Sequence, residues 1–347
     1  MSQTSTQKKT AVVICPGRGT YNAEELGYLV RHHSDKASFI DMIDRVRKEA
    51  GQEAISSLDG ADKYSSASHG SGENASLLIY ACAMADFFSI NRERYDIVAV
   101  TGNSMGWYLS LTAGGALSLE DGARLVNGMG QIVTKHGVGG QIVYPSVDDD
   151  WRPSEKRKKH IQDALSMVGD VTISTSIHLG GLHVFAGGDR GIKHLMSQLP
   201  KDGVFPLRLR GHSAFHSSKL DHIVPLAKTA FSPDMFGRPD LPLIDGQGNI
   251  WPHFSTDTDA LYDYTLGRQI NGAYDFTRAV QVAAKEFAPD VFIVLGPGST
   301  MGAPTAQSLI ELDWHGLTSK TDFLERQHND PIIISMGRAD QRALATK

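Results

Sequence analysis

The segment Thr101-Gly102-Asn103-Ser104-Met105-Gly106-Trp107 constrains this chain more than any other. It follows the apolar run Ile97-Val98-Ala99-Val100 and precedes a helical pattern that begins near Trp107. The order is strand, tight turn, helix, and Gly-x-Ser-x-Gly in that setting is a nucleophile elbow. Its two glycines let the backbone turn sharply and leave room for the helix to pack on the strand. The serine hydroxyl is then held at the tip of the turn, near a helix N-terminus whose N–H groups can receive a developing oxyanion. An ordinary strand–helix turn is the alternative for so short a pattern. The flanking strand and helix favour the elbow.

The rest of the composition sets the frame. The chain has 347 residues, 41% hydrophobic and 21% charged, an ordinary globular balance that accommodates a large domain carrying a smaller one. A net charge of −5 argues against a general nucleic-acid binder, and no apolar run is long enough to span a membrane. Met1 to Thr10 is polar with no apolar core, so it is expected to be a disordered lead-in rather than a secretory signal. Two cysteines, Cys15 and Cys82, make neither a disulfide framework nor a zinc site, and a reducing cytoplasm is the expected location.

Ala11-Val12-Val13-Ile14-Cys15 is a continuous apolar run suited to a central parallel strand. It ends in the glycine-rich turn Pro16-Gly17-Arg18-Gly19-Thr20. Asn74 to Ile90 reads as a buried helix, and a second helix is predicted from Ser118 to Lys135, capped by Ser118 with Glu120 and Asp121 in its first turn. The character changes after Gly137-Val138-Gly139-Gly140. A strand from Gln141 to Ser146 is followed by a helix from Pro153 to Val168. Strands from Val171 to Ile177 and Leu182 to Ala186 come next, then a helix from Gly191 to Leu199 and a strand from Val204 to Leu209. This β-α-β-β-α-β order predicts a ferredoxin-like insert over 138–210. The large domain of parallel-sheet α/β type, α/β-hydrolase-like, would then comprise 11–137 and 211–347. Asp290 to Leu295 is another buried strand, ending in Gly296-Pro297-Gly298.

Taken together, these landmarks resemble the malonyl-CoA:acyl-carrier-protein transacylase family and the related acyltransferase domains of polyketide synthases. Cys15-Pro16-Gly17-Arg18-Gly19-Thr20-Tyr21 is similar to that family's Phe-Pro-Gly-Gln-Gly-Ser-Gln turn. Gly102-Asn103-Ser104-Met105-Gly106-Trp107-Tyr108 is similar to its Gly-His-Ser-Leu-Gly-Glu-Tyr elbow. Ser213-Ala214-Phe215-His216-Ser217 resembles its Ala-Phe-His-Ser segment, Gln269-Ile270 and Phe276 its Gln-Leu…Trp segment, and Leu295-Gly296-Pro297-Gly298 its Val-Gly-Pro-Gly. The resemblance covers about residues 10 to 312, in family order.

The resemblance implies a ping-pong acyltransferase. Ser104 would be the nucleophile and His216 its base, in a dyad oriented by a backbone carbonyl. It implies acyl-CoA and phosphopantetheine thioesters as substrates, an acyl carrier protein as partner, and no metal or bound cofactor. The backbone N–H groups of Met105 and Arg18 would form the oxyanion hole, with Gln269 and Phe215 beside the reacting groups. A satisfied structural histidine and a solvated glutamine are the plain alternatives for His216 and Gln269.

Three departures from the family pattern bear on specificity. The family's carboxylate-binding arginine follows the nucleophile by twenty-five residues, and the same count from Ser104 reaches Met129. Methionine cannot pair with a malonyl carboxylate, whose burial without a partner is costly. Either Arg18, which replaces the family's glutamine, has taken over from the first loop, or the acyl group carries no carboxylate and Met129 lines an apolar pocket. Asn103 and Trp107 replace the family's histidine and glutamate around the elbow and are candidate substrate contacts, with packing in the core the alternative for Trp107. Lys156, Arg157 and Lys159, within a basic run on the insert's first helix, are either a docking face for an acidic carrier or a solvated helix face. An acyl-thioester hydrolase on the same scaffold and a non-catalytic interaction subunit are the rival functions.

Overall fold

The protein is described by a computed structural model covering residues 8–166 and 172–347. Eleven strands form two sheets among the described residues. The larger sheet contains β1 (Lys9–Cys15), β2 (Tyr95–Gly102), β7 (Leu243–Ile244), β8 (Ile250–Trp251), β10 (Val291–Val294) and β11 (Ile333–Ser335), in the order β11-β10-β1-β2-β7-β8. Its pairings are parallel except β7–β8. β1 is buried from Ala11 to Cys15, as expected of a central strand covered on both faces. The helix Gly72–Phe87 is buried on every side from Ala75 onward, so it is a core helix rather than an amphipathic cover. The helix Leu119–His136 starts where its capping residue dictates, Ser118 Oγ accepting from Asp121 N–H at 3.0 Å.

The second sheet is built mainly from the insert: β3 (Gly140–Pro145), β4 (Ile173–Leu179), β5 (Leu182–Gly187) and β6 (Leu207–Leu209), joined by β9 (Tyr274–Asp275). The order is β6-β3-β5-β4-β9, antiparallel within the insert and parallel between β4 and β9. The helices Glu155–Ser166 and Asp189–Gln198 cover one face around Ile142, Tyr144, Phe185 and Leu195. Val143, Ile177 and Val184 on the other face join the main core, so the insert and the large domain share packing.

Several expectations shift. The first strand begins at Lys9, so the polar lead-in ends earlier than Thr10. Residues 1–7 lie outside the described residues, as do Val168 and Val171, the expected ends of an insert helix and strand. β6 is confined to Leu207–Leu209 rather than starting at Val204. No described helix is long and apolar enough to cross a membrane.

The register aligns Cys15 with Gly102. The loops leaving β1 and β2 therefore emerge side by side at the carboxyl edge of the sheet, where open α/β sheets bind ligands. The approach is closer than any side chain allows. A Cβ on Gly106 would lie 2.4 Å from the Cys15 carbonyl oxygen, and one on Gly102 2.5 Å from the Gly106 backbone. Gly106→Ala should therefore cost about 2 kcal/mol or more in urea denaturation; a loss under about 0.5 kcal/mol would show that the loops part freely.

Candidate active site

Ser104 sits at the tip of the turn with φ of +57°, a left-handed conformation that non-glycine residues adopt only when surrounding contacts impose it. Those contacts are backbone hydrogen bonds: Asn103 N–H to the Cys15 carbonyl at 3.2 Å, Gly106 N–H to Asn103 at 2.8 Å, and Trp107 N–H to Ser104 at 3.0 Å. His216 is held in the same way, with φ of +54° and its N–H on the Ile270 carbonyl at 3.1 Å.

The two side chains meet, Ser104 Oγ lying 2.7 Å from His216 Nε2. His216 Nδ1 is 2.8 Å from the Gln269 carbonyl oxygen. A carbonyl can only accept, so Nδ1 carries the proton and Nε2 presents its lone pair to the serine. Burial pushes the imidazole down to about 4, only partly offset by that carbonyl bond. The ring is therefore neutral and able to take a proton at pH 7.

Gln269 holds both partners. Its main-chain oxygen fixes His216, while its side-chain Nε2 donates to the Ser104 carbonyl at 2.8 Å. Tyr108 hydroxyl donates to Gln269 Oε1 at 2.9 Å, which sets the amide's orientation. A turn of π-helix, Tyr264–Arg268, delivers Gln269 to this position. A second polar chain runs from the insert. His212 Nδ1 donates to Gln141 Oε1 at 2.9 Å, Gln141 Nε2 to Ser176 Oγ at 2.6 Å, and Ser176 hydroxyl to the Phe215 carbonyl at 2.8 Å. Sequence reasoning missed Tyr108, Gln141, Ser176 and His212 as supports. Tyr108 had a signal, since it follows the elbow by one helical turn; the others are distant in sequence and have none.

A cavity of about 50 Å³ opens beside Ser104 and His216, walled by Met105, Tyr108, Val126, Met129, Phe215 and Ile270. Met129 and Phe215 thus line the same cavity as Ser104 and His216. No lysine or arginine lines this cavity. Arg18 lies against Phe215, its guanidinium 5.5 Å from the ring centre, close to Gly72 and donating to the Gly211 carbonyl at 3.2 Å.

Two expected substrate contacts fall elsewhere. Trp107 is fully buried, donates Nε1–H to Thr265 Oγ1 at 3.0 Å and packs edge-on against Tyr264. It faces the core because the elbow helix turns that position inward. Asn103 is buried under the first loop, its amide against Gly17, and also stands off the cavity wall.

The backbone N–H groups of Met105 and Arg18 make no hydrogen bond among the described residues. A Cβ on Gly17 would lie 2.7 Å from the Asn103 carbonyl oxygen, so the first loop presses directly on the residue before the serine.

The basic run divides. Arg157 is not a free surface cation: it bonds the Val147 carbonyl and pairs with Asp202 at 2.5 Å and Asp149 at 3.3 Å, because its helix face packs toward those loops. Lys159 pairs with Asp163 at 3.1 Å on an exposed face, and Lys156 is exposed.

No family model matches the sequence. Among curated proteins, a mycocerosic acid synthase-like polyketide synthase from Mycolicibacterium smegmatis is 26% identical over 216 residues, 62% of this chain. A non-reducing polyketide synthase from Neosartorya fischeri is 24% identical over 245 residues, 68% of this chain. The matches cover only 10% and 13% of those much longer proteins. Among solved structures, the malonyl-CoA:acyl carrier protein transacylase of Xanthomonas oryzae pv. oryzae aligns with a TM-score of 0.75 at 16% identity, over 98% of both chains. A malonyl-transacylase solved in complex with a type II polyketide synthase acyl-carrier protein aligns with a TM-score of 0.73 at 15% identity, over 98% of this chain and 99% of that one. Across almost its whole length, this chain has the fold of the malonyl-CoA:acyl carrier protein transacylases.

Proposed function

We propose that this protein is a serine acyltransferase that moves an acyl group from acyl-CoA to the phosphopantetheine thiol of an acyl carrier protein. The observation that carries this reading is the 2.7 Å contact between Ser104 Oγ and the lone pair of a neutral, carbonyl-anchored His216. As Oγ attacks the thioester carbon, Nε2 takes its proton. The carbonyl pair moves onto oxygen, facing the N–H groups of Met105 and Arg18. When the pair returns, the C–S bond breaks and the thiolate leaves with the proton from His216. The carrier's thiol then attacks the acyl-serine by the same steps in reverse order of partners. The carrier is proposed by likeness to the transacylase solved with one, with Lys156 and Lys159 the exposed cations available to an acidic surface. Two buried free thiols, Cys15 and Cys82, fit a reducing location such as the cytoplasm.

The cavity favours a short, uncharged acyl group. A malonyl carboxylate beside Met129 would meet no cation on the wall and would lose solvation without gaining an ion pair.

Four expected outcomes follow from this chemistry. After incubation with acetyl-CoA, intact mass should show an acyl adduct that is absent in Ser104→Ala; an equal adduct on the variant removes Ser104 as nucleophile. The adduct should persist without carrier, whereas rapid spontaneous decay would identify a thioester hydrolase. Because the neutral imidazole is the base and its proton affinity is depressed, the acylation rate should stay flat as pH falls through 6.5 and decline only near about 4. An acid limb at 6.5 would place His216 in a solvated setting. Wild type should use acetyl-CoA at least as well as malonyl-CoA, and Met129→Arg should shift preference toward malonyl-CoA by roughly 10- to 100-fold. A malonyl preference in wild type that Arg18→Gln erases would assign the carboxylate to Arg18 instead.

A further inference from the structure

A cleft of about 610 Å³ lies on the seam between the insert and the large domain and shares no lining residue with the cavity at Ser104. One wall comes from the insert helix Glu155–Ser166 and from β4 and β5; the other comes from the helices Phe276–Phe287 and Gly302–Ile310. The β4–β5 turn is fastened across the seam, Gly180 N–H donating to Thr277 Oγ1 at 2.8 Å and Gly181 N–H to Gln307 Oε1 at 2.9 Å. The volume falls within the range of small-molecule sites.

Several of the polar groups lining this space are donors without protein acceptors among the described residues. Arg278 and Lys285, both exposed, make no side-chain hydrogen bond or ion pair among the described residues. Lys158 has only an exposed contact to Glu155 at 2.9 Å. His178 and His183 stand edge to face, 4.9 Å between ring centres, and their ring nitrogens bond no protein atom. Gln307 has spent its oxygen on Gly181 and keeps its amide N–H₂. Two carboxylates share the lining: Asp275 accepts the Arg278 backbone N–H at 2.8 Å, and Glu311, whose carboxyl pKa is raised by burial and by Asp275, faces Lys158 and His178 as its opposing charges. Trp151, Val147 and Val282 supply apolar wall.

We propose that this cleft is a second binding site, independent of the acyl-transfer chemistry, for a phosphate monoester carried on a ring-bearing organic body. A phosphate offers only acceptors and spreads its charge over three oxygens, which suits a cleft lined by Arg278 and Lys285 on one helix, Lys158 on another and several neutral donors. The apolar wall gives the ring a surface that inorganic phosphate alone would leave unused. Occupation would tie Lys158 of the insert to Arg278 and Lys285 of the large domain.

Isothermal titration calorimetry on the full chain tests this with AMP, inorganic phosphate and succinate. AMP should bind at one saturable site, more tightly than phosphate and with succinate weaker than either. The double variant Arg278→Gln, Lys285→Gln should weaken AMP binding about tenfold or more, while acetylation of Ser104 proceeds at the parent rate. Those two side chains are exposed and unbonded, so the variant keeps its core. Absence of saturable AMP binding, AMP binding unchanged in the double variant, or succinate binding as tightly as AMP would each overturn the proposal.

Discussion

The contact between the first loop and the elbow is the constraint on which the site depends. Parallel pairing of β1 and β2 ends with Cys15 opposite Gly102, and the chain then has to make two reversals in one small volume. It does so by dispensing with side chains at Gly17, Gly102 and Gly106, each of which meets foreign backbone where a Cβ would stand. Closing that gap lets the Cys15 carbonyl accept from Asn103 and brings the N–H groups of Arg18 and Met105 to the same edge. The turn carrying Ser104 is shaped by backbone hydrogen bonds, and the Gln269 side-chain amide adds a hold on the Ser104 carbonyl.

His216 reaches the serine from far along the chain, and its support is correspondingly elaborate. Gln269 joins the pair by using its main-chain carbonyl on the imidazole and its side-chain amide on the serine carbonyl. A displacement of either Ser104 or His216 therefore disturbs the other. The insert adds a separate hold through Ser176, which takes the carbonyl immediately before His216. Sharing one core between insert and large domain is what makes that hold rigid. The positive φ at both Ser104 and His216 is a local cost that the surrounding hydrogen bonds offset.

The electrostatics are set by burial rather than by ion pairs. His216 is held neutral by desolvation, and His212, farther along the polar chain, is pushed down to about 3 for the same leading reason. Cys15 moves the opposite way, up to about 12, because burial disfavours its charged form; it is an inert packing residue beneath the site. The cavity beside the dyad continues this character. Met129 and Phe215 wall it, and the nearby cation, Arg18, stacks over the phenyl ring of Phe215.

The sequence by itself determined what is local. Apolar runs marked β1 and β10, the Ser118 cap marked its helix, and the paired glycines marked the elbow, because strand burial, capping and turn geometry act over a few neighbouring residues. Ordered motifs also identified Ser104, His216, Gln269 and Met129 as members of one site. Only the tertiary structure decided which side chains face the reaction. Trp107 and Asn103 adjoin the serine in sequence yet point into core and loop, since a turn rotates successive residues to different sides. Arg157 belongs to a basic run but is drawn onto Asp202 by the packing of its helix. Gln141, Ser176 and His212 carried no mark of their role, because a hydrogen bond between residues distant in sequence exists only once two sheets have been brought together.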